Sequence, residues 1–242
     1  LAGEEIMFFE NFHDKIGEFD QSLIEDFKQK LFGVDLDDPS IARTEFCFRD
    51  GGKLILPLNY GEVVNHEYYQ FVEPLIKHAQ SLNHFSLKNT IPLRIEISIM
   101  QPHKNILWHH DFHPHHKYSE RIHFPIITDD KVDFYSKWFS DDKKYKFKMK
   151  AGNVYRINNR VMHSVKNNSD NFRCHVMIDF IKKDVWNWVL NNNFQEQFKI
   201  ASSLVTTKDD IFYYINPNTI DTIQEDLNSN DLEQLKALRK AY

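Results

Sequence analysis

Apolar positions recur at helical spacing in two early stretches of the chain. Within residues 19–32 they fall at Leu23, Ile24, Phe27 and Leu31, one face of an amphipathic helix with Gly33 as its stop. Within 65–82 they fall at Phe71, Leu75, Ile76 and Ala79, and Asn65 is placed to cap the first turn. Residues 8–12 read as a short aromatic strand or turn beside the first helix, and 44–48 with 53–58 as two strands joined by Asp50-Gly51-Gly52. From Ile91 the period drops to two. In Leu93-Arg94-Ile95-Glu96-Ile97-Ser98-Ile99 the odd positions are apolar and the even ones polar. The same alternation returns in Arg121-Ile122-His123-Phe124 and from Phe172 to Ile178. Shorter strands are predicted at 132–139, 145–149, 153–158 and 160–166, with turns at Gly152-Asn153 and Asn158-Asn159. Helical spacing resumes after Asp184 through Trp186, Val189 and Leu190, then Phe194 and Phe198, and 231–239 predicts a short last helix.

Each alternating strand has one apolar face and one polar face. The polar face of a lone strand usually meets solvent. Here the strands carry Arg94, Arg121 and Arg173, each followed two residues later by an ionisable group: Glu96, His123 and His175. That repetition predicts a shared polar interior, as in a small barrel or jelly roll with an open mouth.

Composition alters this picture little. With 41% hydrophobic and 27% charged residues over 242 positions, the chain can bury the core of a single domain. A net charge of −5 and the lack of a basic stripe argue against a nucleic-acid partner. The run from Lys143 to Lys150, interleaved with Tyr145, Phe147 and Met149, reads as an edge strand with a solvated face. Cys47 and Cys174 form no disulfide framework and no CxxC pair, which fits a reducing compartment. No apolar run is long enough for a bilayer and no signal peptide is visible, so a cytoplasmic location without a membrane partner is expected. On oligomeric state the sequence is silent.

Candidate chemistry lies between Trp108 and Asp179. His109-x-Asp111 places two donor side chains on one side of an extended segment. A third donor from a neighbouring strand would complete one face of an octahedron and leave three adjacent positions open, the arrangement that suits non-haem Fe(II). Zinc accepts the same donors. With 13 His in the chain, a His-x-Asp pair arises about once by chance, so its weight comes from order, spacing and strand parity taken together. His110, His113, His115 and His116 crowd the same loop; they read as solvated or gate residues, one of which could ligate in place of His109. Tyr155 reads equally as core or as a hydrogen-bond donor to a ligand, His175 as a polar core residue, and Arg156 and Arg160 as surface.

The order His109-x-Asp111, Arg121-Ile-His123-Phe-Pro-Ile-Ile-Thr, Gly152-Asn-Val-Tyr155, His163-Ser-Val-x-Asn167 and Arg173 resembles the Fe(II)/2-oxoglutarate-dependent dioxygenases. Among them it is most similar to the aspartyl/asparaginyl β-hydroxylase branch that includes bacterial free-proline hydroxylases. The resemblance implies a mainly β fold with flanking helices around a double-stranded β-helix (jelly roll, cupin-like) core. The whole of 1–242 would be one domain, with the core at about 92–182, helical and strand support in 1–91 and a helical extension in 183–242. It implies His109, Asp111 and His163 as iron ligands, Arg173 on the far carboxylate of 2-oxoglutarate, and His123 and Tyr155 as further contacts to that co-substrate. Arg121 and Arg94 would receive a substrate carboxylate, and His110 would belong to a lid over it. The cofactors implied are Fe(II), 2-oxoglutarate and O2, with ascorbate as a stimulant. Peptidyl hydroxylases of the branch lack the carboxylate ligand, whereas Asp111 is present here. The expected reaction is therefore hydroxylation of an unactivated C–H of a small carboxylate-bearing substrate, a free amino acid such as proline, with release of succinate and CO2. Two alternatives remain: a peptidyl substrate, and a cupin-like metal-binding module without turnover.

Overall fold

The structure, a computed structural model, describes residues 12–32, 42–43, 52–109, 111, 114–138, 143–192 and 195. In chain order the strands are β1 (His13–Glu18), β2 (Ala42–Arg43), β3 (Gly52–Asn59), β4 (Glu62–Val63), β5 (Thr90–Met100) and β6 (Asn105–His109). They continue as β7 (Ser119–Ile127), β8 (Val132–Lys137), β9 (Tyr145–Phe147), β10 (Asn153–Ile157), β11 (Met162–Asn167) and β12 (Arg173–Lys182). The helices are α1 (Gln21–Phe32), α2 (His66–Ser81) and α3 (Lys183–Asn191). An 8-stranded antiparallel sheet runs β1-β10-β7-β12-β5-β3-β2, with β4 beside β3, and faces a 4-stranded sheet ordered β6-β11-β8-β9. This pair of sheets is the double-stranded β-helix.

Both early helices form where the apolar spacing predicts them, and their first turns are capped locally. The Asn65 side chain accepts the Tyr68 N–H at 3.2 Å, and Asp20 Oδ1 accepts that of Ser22 at 2.9 Å. Ile24, Phe27 and Leu31 of α1 and Val72, Leu75 and Ala79 of α2 pack on the outer face of the large sheet. That face is built from Ile95, Ile97 and Ile99 of β5, Ile122, Phe124 and Ile126 of β7, and Val176, Ile178 and Phe180 of β12. These are the apolar halves of the three alternating strands.

The polar halves point between the sheets. In register, Asp179 of β12 lies between Arg94 of β5 and Arg121 of β7, Met177 between Glu96 and His123, and His175 opposite Ser98. The shared polar interior is thus real. It passes into a second apolar cluster where the sheets meet, formed by Met100, Ile106, Phe134, Tyr155, Ile157 and Val165.

Some expectations shift. β1, β4 and β6 carry no alternating pattern and went unpredicted; in β6, for instance, Leu107 is 53% exposed. Arg156, expected at the surface, is buried, pairing with Glu120 at 3.1 Å and lying over the Phe85 ring. The lysine run does form the edge strand β9, where Lys146 and Lys148 both reach Asp133. Residues 8–11, Gly33, the 44–51 part of the first hairpin with Cys47, His110, Phe194, Phe198 and the 231–239 helix lie outside the described residues. Among the described residues no helix is long and apolar enough to cross a membrane.

Candidate active site

His109 ends β6, and His163 sits directly across from it on β11. This single rung brings two imidazoles together from positions far apart in sequence, with ring centroids 4.2 Å apart. Each ring is oriented by its own backbone. Nδ1 of His109 lies 2.7 Å from the Leu107 carbonyl, and Nδ1 of His163 lies 2.9 Å from that of Val161. A carbonyl only accepts, so each Nδ1 carries the proton, and in the neutral ring Nε2 is left as a lone pair facing the site.

Asp111 joins them by a different route from the strand parity expected. β6 ends at His109, and the Asp111 N–H donates to the Asn159 carbonyl at 2.9 Å, hooking the segment onto the turn before β11. Its Oδ1 lies 3.8 Å from His109 Nε2. Oδ2 accepts from Arg121 Nη1 at 2.5 Å and from Asn159 Nδ2 at 3.2 Å. Burial pushes this carboxyl up, but the Arg121 guanidinium and the nearby imidazoles outweigh burial and hold it well below the usual carboxylate range. Arg121 is in turn held in bidentate fashion by Asp179, Nε to Oδ1 at 2.7 Å and Nη2 to Oδ2 at 2.8 Å.

The triad opens into a cleft that also contains Ser98, His123, Phe134, Ser136 and Arg173. Arg173 is 1% exposed, its guanidinium carbon 4.9 Å from the Phe134 ring centroid. His123 and His175 are both buried, and burial, then the neighbouring guanidinium groups, keep them well below the ordinary histidine range. Both are therefore neutral at pH 7. Nδ1 of His123 and both ring nitrogens of His175 have no hydrogen-bond partner among the described residues.

His109, Asp111, His163, Arg173 and His123 thus converge on one cleft. Three other expected contacts already have protein partners: Arg94 pairs with Glu96 at 2.8 Å, Arg121 with two carboxylates, and the Tyr155 hydroxyl accepts from Lys150 N–H and Asn153 Nδ2, each at 3.0 Å. His115 and His116, expected as solvated gate residues, are 0% and 2% exposed, a correction that follows from their facing the buried Asp179 carboxylate. Asp179 and Asn159 were not anticipated. For Asp179 the signal existed, since positions 173, 175, 177 and 179 share one parity on β12. For Asn159, a turn residue, there was none.

The donor set fits ferrous iron: two imidazole lone pairs and one ionised carboxylate, with donor atoms within 4.8 Å of one another. The open hydrogen-bonding position of His123 Nδ1, in the same cleft as the Arg173 guanidinium, fits the carboxylates of 2-oxoglutarate. The profile of a family described as aspartyl/asparaginyl beta-hydroxylase matches residues 61–183, half of the chain. No curated protein sequence matches. Among solved structures, the chain is similar to a prolyl hydroxylase from Trichoplax adhaerens in complex with a peptide fragment of the hypoxia inducible factor oxygen degradation domain. That likeness has TM-score 0.51 and 11% identity, over 72% of this chain and 86% of that one. It is also similar to the non-haem α-ketoglutarate-dependent epimerase SnoN from nogalamycin biosynthesis, with TM-score 0.53 and 10% identity over 71% and 79%. At such identities the two structures speak for the fold, and the profile speaks for the family. The chain belongs to the aspartyl/asparaginyl β-hydroxylase family and is a 2-oxoglutarate-dependent oxygenase.

Proposed function

We propose that His109, Asp111 and His163 hold the iron, that Arg173 and His123 bind 2-oxoglutarate, and that the enzyme hydroxylates an unactivated C–H of a free amino acid such as proline. The observation that carries this reading is the convergence of three donor groups and a buried guanidinium on one cleft between the sheets. Bound together, ferrous iron and 2-oxoglutarate supply the oxidation: dioxygen is reduced, succinate and CO2 leave, and one oxygen atom enters the substrate C–H.

The protein's part is orientation. His109 and His163 present Nε2 because their Nδ1 protons are engaged by backbone carbonyls. Asp111 presents Oδ1 because Oδ2 is taken by Arg121 and Asn159. Arg173, beside Phe134 in the cleft, would offer the far carboxylate of 2-oxoglutarate a planar fork and so orient the co-substrate. His123, neutral, can donate a hydrogen bond without adding charge. With Arg94 and Arg121 engaged by protein carboxylates, His110, outside the described residues, stays the substrate-side candidate. The presence of the Asp111 carboxylate supports a small substrate.

One observation favours a second reading, an acidic peptide. The outer face of the smaller sheet, behind the strand that carries His109, is basic and aromatic: Trp108 packs beside Tyr135, with Lys137 and Lys144 at 5.9 and 5.7 Å from the Trp108 ring centroid. The deciding experiment measures succinate release with Fe(II), 2-oxoglutarate and ascorbate over free amino acids and over peptides rich in aspartate. Free amino acids should drive turnover above the uncoupled background, and His163→Ala should abolish it. Turnover with peptides alone would replace the first reading by the second. The lack of a metal-to-ligand charge-transfer band on anaerobic addition of Fe(II) and 2-oxoglutarate would sink both.

A further inference from the structure

A second group of buried donors lies one step behind the triad: His115, His116 and Asp179, again with donor atoms within 4.8 Å of one another. Taken alone it resembles another metal site. Its carboxylate, however, already faces the Arg121 guanidinium with both oxygens, and a divalent cation there would sit beside a fixed positive charge. The group is built to hold a guanidinium.

We propose that Arg121 is a positioning residue for the metal centre: a rigid strut, fixed by Asp179, His115 and Tyr60, that sets the carboxylate of Asp111 for metal binding. The inference rests on the triad being the metal site. Its geometry is continuous. The Tyr60 hydroxyl lies 3.3 Å from His115 Nδ1, and His115 Nε2 lies 3.4 Å from Asp179 Oδ2. Asp179 takes Nε and Nη2 of Arg121, which leaves Nη1 pointing at Asp111 Oδ2. Every side chain behind Asp111 is buried: Tyr60 4%, His115 0%, Asp179 1% and Arg121 6% exposed.

Two further features mark this line as more than a stabilising ion pair. Tyr60 has φ +50° in the tight turn between β3 and β4, beside Gly61 at +81°, a backbone region that a bulky residue rarely takes. An aromatic side chain occupies a turn position that suits asparagine or glycine better, and its hydroxyl meets His115. The other feature is direction. Arg121 and Asn159 both bind Asp111 Oδ2, leaving Oδ1, 3.8 Å from His109 Nε2, as the donor toward the ion. The strut therefore decides which carboxylate oxygen faces the metal and keeps the ligand monodentate.

The test is Co(II) binding to the full chain, followed anaerobically by its visible absorption in wild type, Arg121→Lys, Arg121→Gln and Asp179→Asn, each checked for folding by circular dichroism. Outer partners of metal ligands typically contribute roughly 10–100-fold in affinity, and each variant should weaken Co(II) binding by that factor. In an Asp111→Ala background Arg121→Gln should cost nothing further, a coupling that a purely structural ion pair would not show. Should Arg121→Gln fail to fold, Arg121→Lys carries the test, since its ammonium still neutralises Asp179 but cannot span two carboxylates. Folded Arg121 variants that bind Co(II) within threefold of wild type, or that weaken it equally without Asp111, would overturn the strut alone. Wild-type protein that takes up no Co(II), or a His163→Ala variant that binds it equally well, would overturn the metal-centre reading and the strut with it.

Discussion

A guanidinium with 1% exposure, as at Arg173, persists only where anions or π faces replace its lost water. Phe134 supplies one such face at 4.9 Å. Replacing Arg173 by Ala should weaken 2-oxoglutarate binding by about 3–5 kcal/mol, the usual effect of leaving one member of a buried charge pair alone. Calorimetric titration of 2-oxoglutarate into the Mn(II)-loaded protein measures this, and Arg173→Lys should recover part of the loss by restoring charge without the planar fork. Undiminished affinity in Arg173→Ala would place the far carboxylate elsewhere. The adjacent Cys174 points to the opposite face of β12 and is inert: burial, against a smaller opposing pull from Arg173, pushes its thiol up to about 12.

The elements that matter most to the site are β5, β7 and β12, each buried on both faces. Their outer side chains carry the stability and their inner ones the chemistry. Phe124, 0% exposed and packed edge-on against Phe19 at 5.4 Å, should destabilise the fold by about 3–5 kcal/mol when replaced by Ala, read from urea unfolding. The inner face should be untouched, so an Arg121 or Arg173 variant and Phe124→Ala should act independently on stability. These strands could be found from the sequence because a strand between an apolar layer and a polar one must alternate. β6 could not, although it delivers His109: Leu107 faces out, and Asn105-Ile-Leu-Trp-His has no period. The convergence of His109, Asp111, His163 and Arg173 was anticipated only through motif order, since spacing along a chain does not reveal that His109 and His163 are cross-strand neighbours. Parity puts Asp179 on the inner face but carries no signal of its role, and His115 reads as a gate residue, for a related reason. Their meaning lies in what Arg121 needs, and that need appears only once the three inner strands are laid side by side.

At the scale of the whole molecule, burying several ionisable groups between two sheets makes stability depend on pH in one direction. His123 and His175 titrate well below the ordinary histidine value in the native state, through burial first and neighbouring positive charge second. An unfolded chain takes up those protons near pH 6.5, whereas the native state refuses them until lower pH. The stabilisation is therefore complete above about 6.5 and is lost as pH falls toward the native values. Asp111 and Asp179 act in the same sense at lower pH: their native values are depressed, so their contribution is present above about 3.9 and fades as acid reaches them. The melting temperature of the chelator-treated protein should hold above about pH 6.5 and fall from there toward pH 5, and His175→Phe, which keeps the stacking on Phe134, should flatten that fall. An identical slope would assign the effect to other histidines. The rung that joins His109 to His163 has a consequence of its own. Side chains alternate along a strand, so sliding β6 by one residue along β11 would swing an imidazole to the outer face of the sheet. Misregistered chains would therefore be catalytically dead as well as misassembled, and any selection for turnover also proofreads this long-range strand pairing.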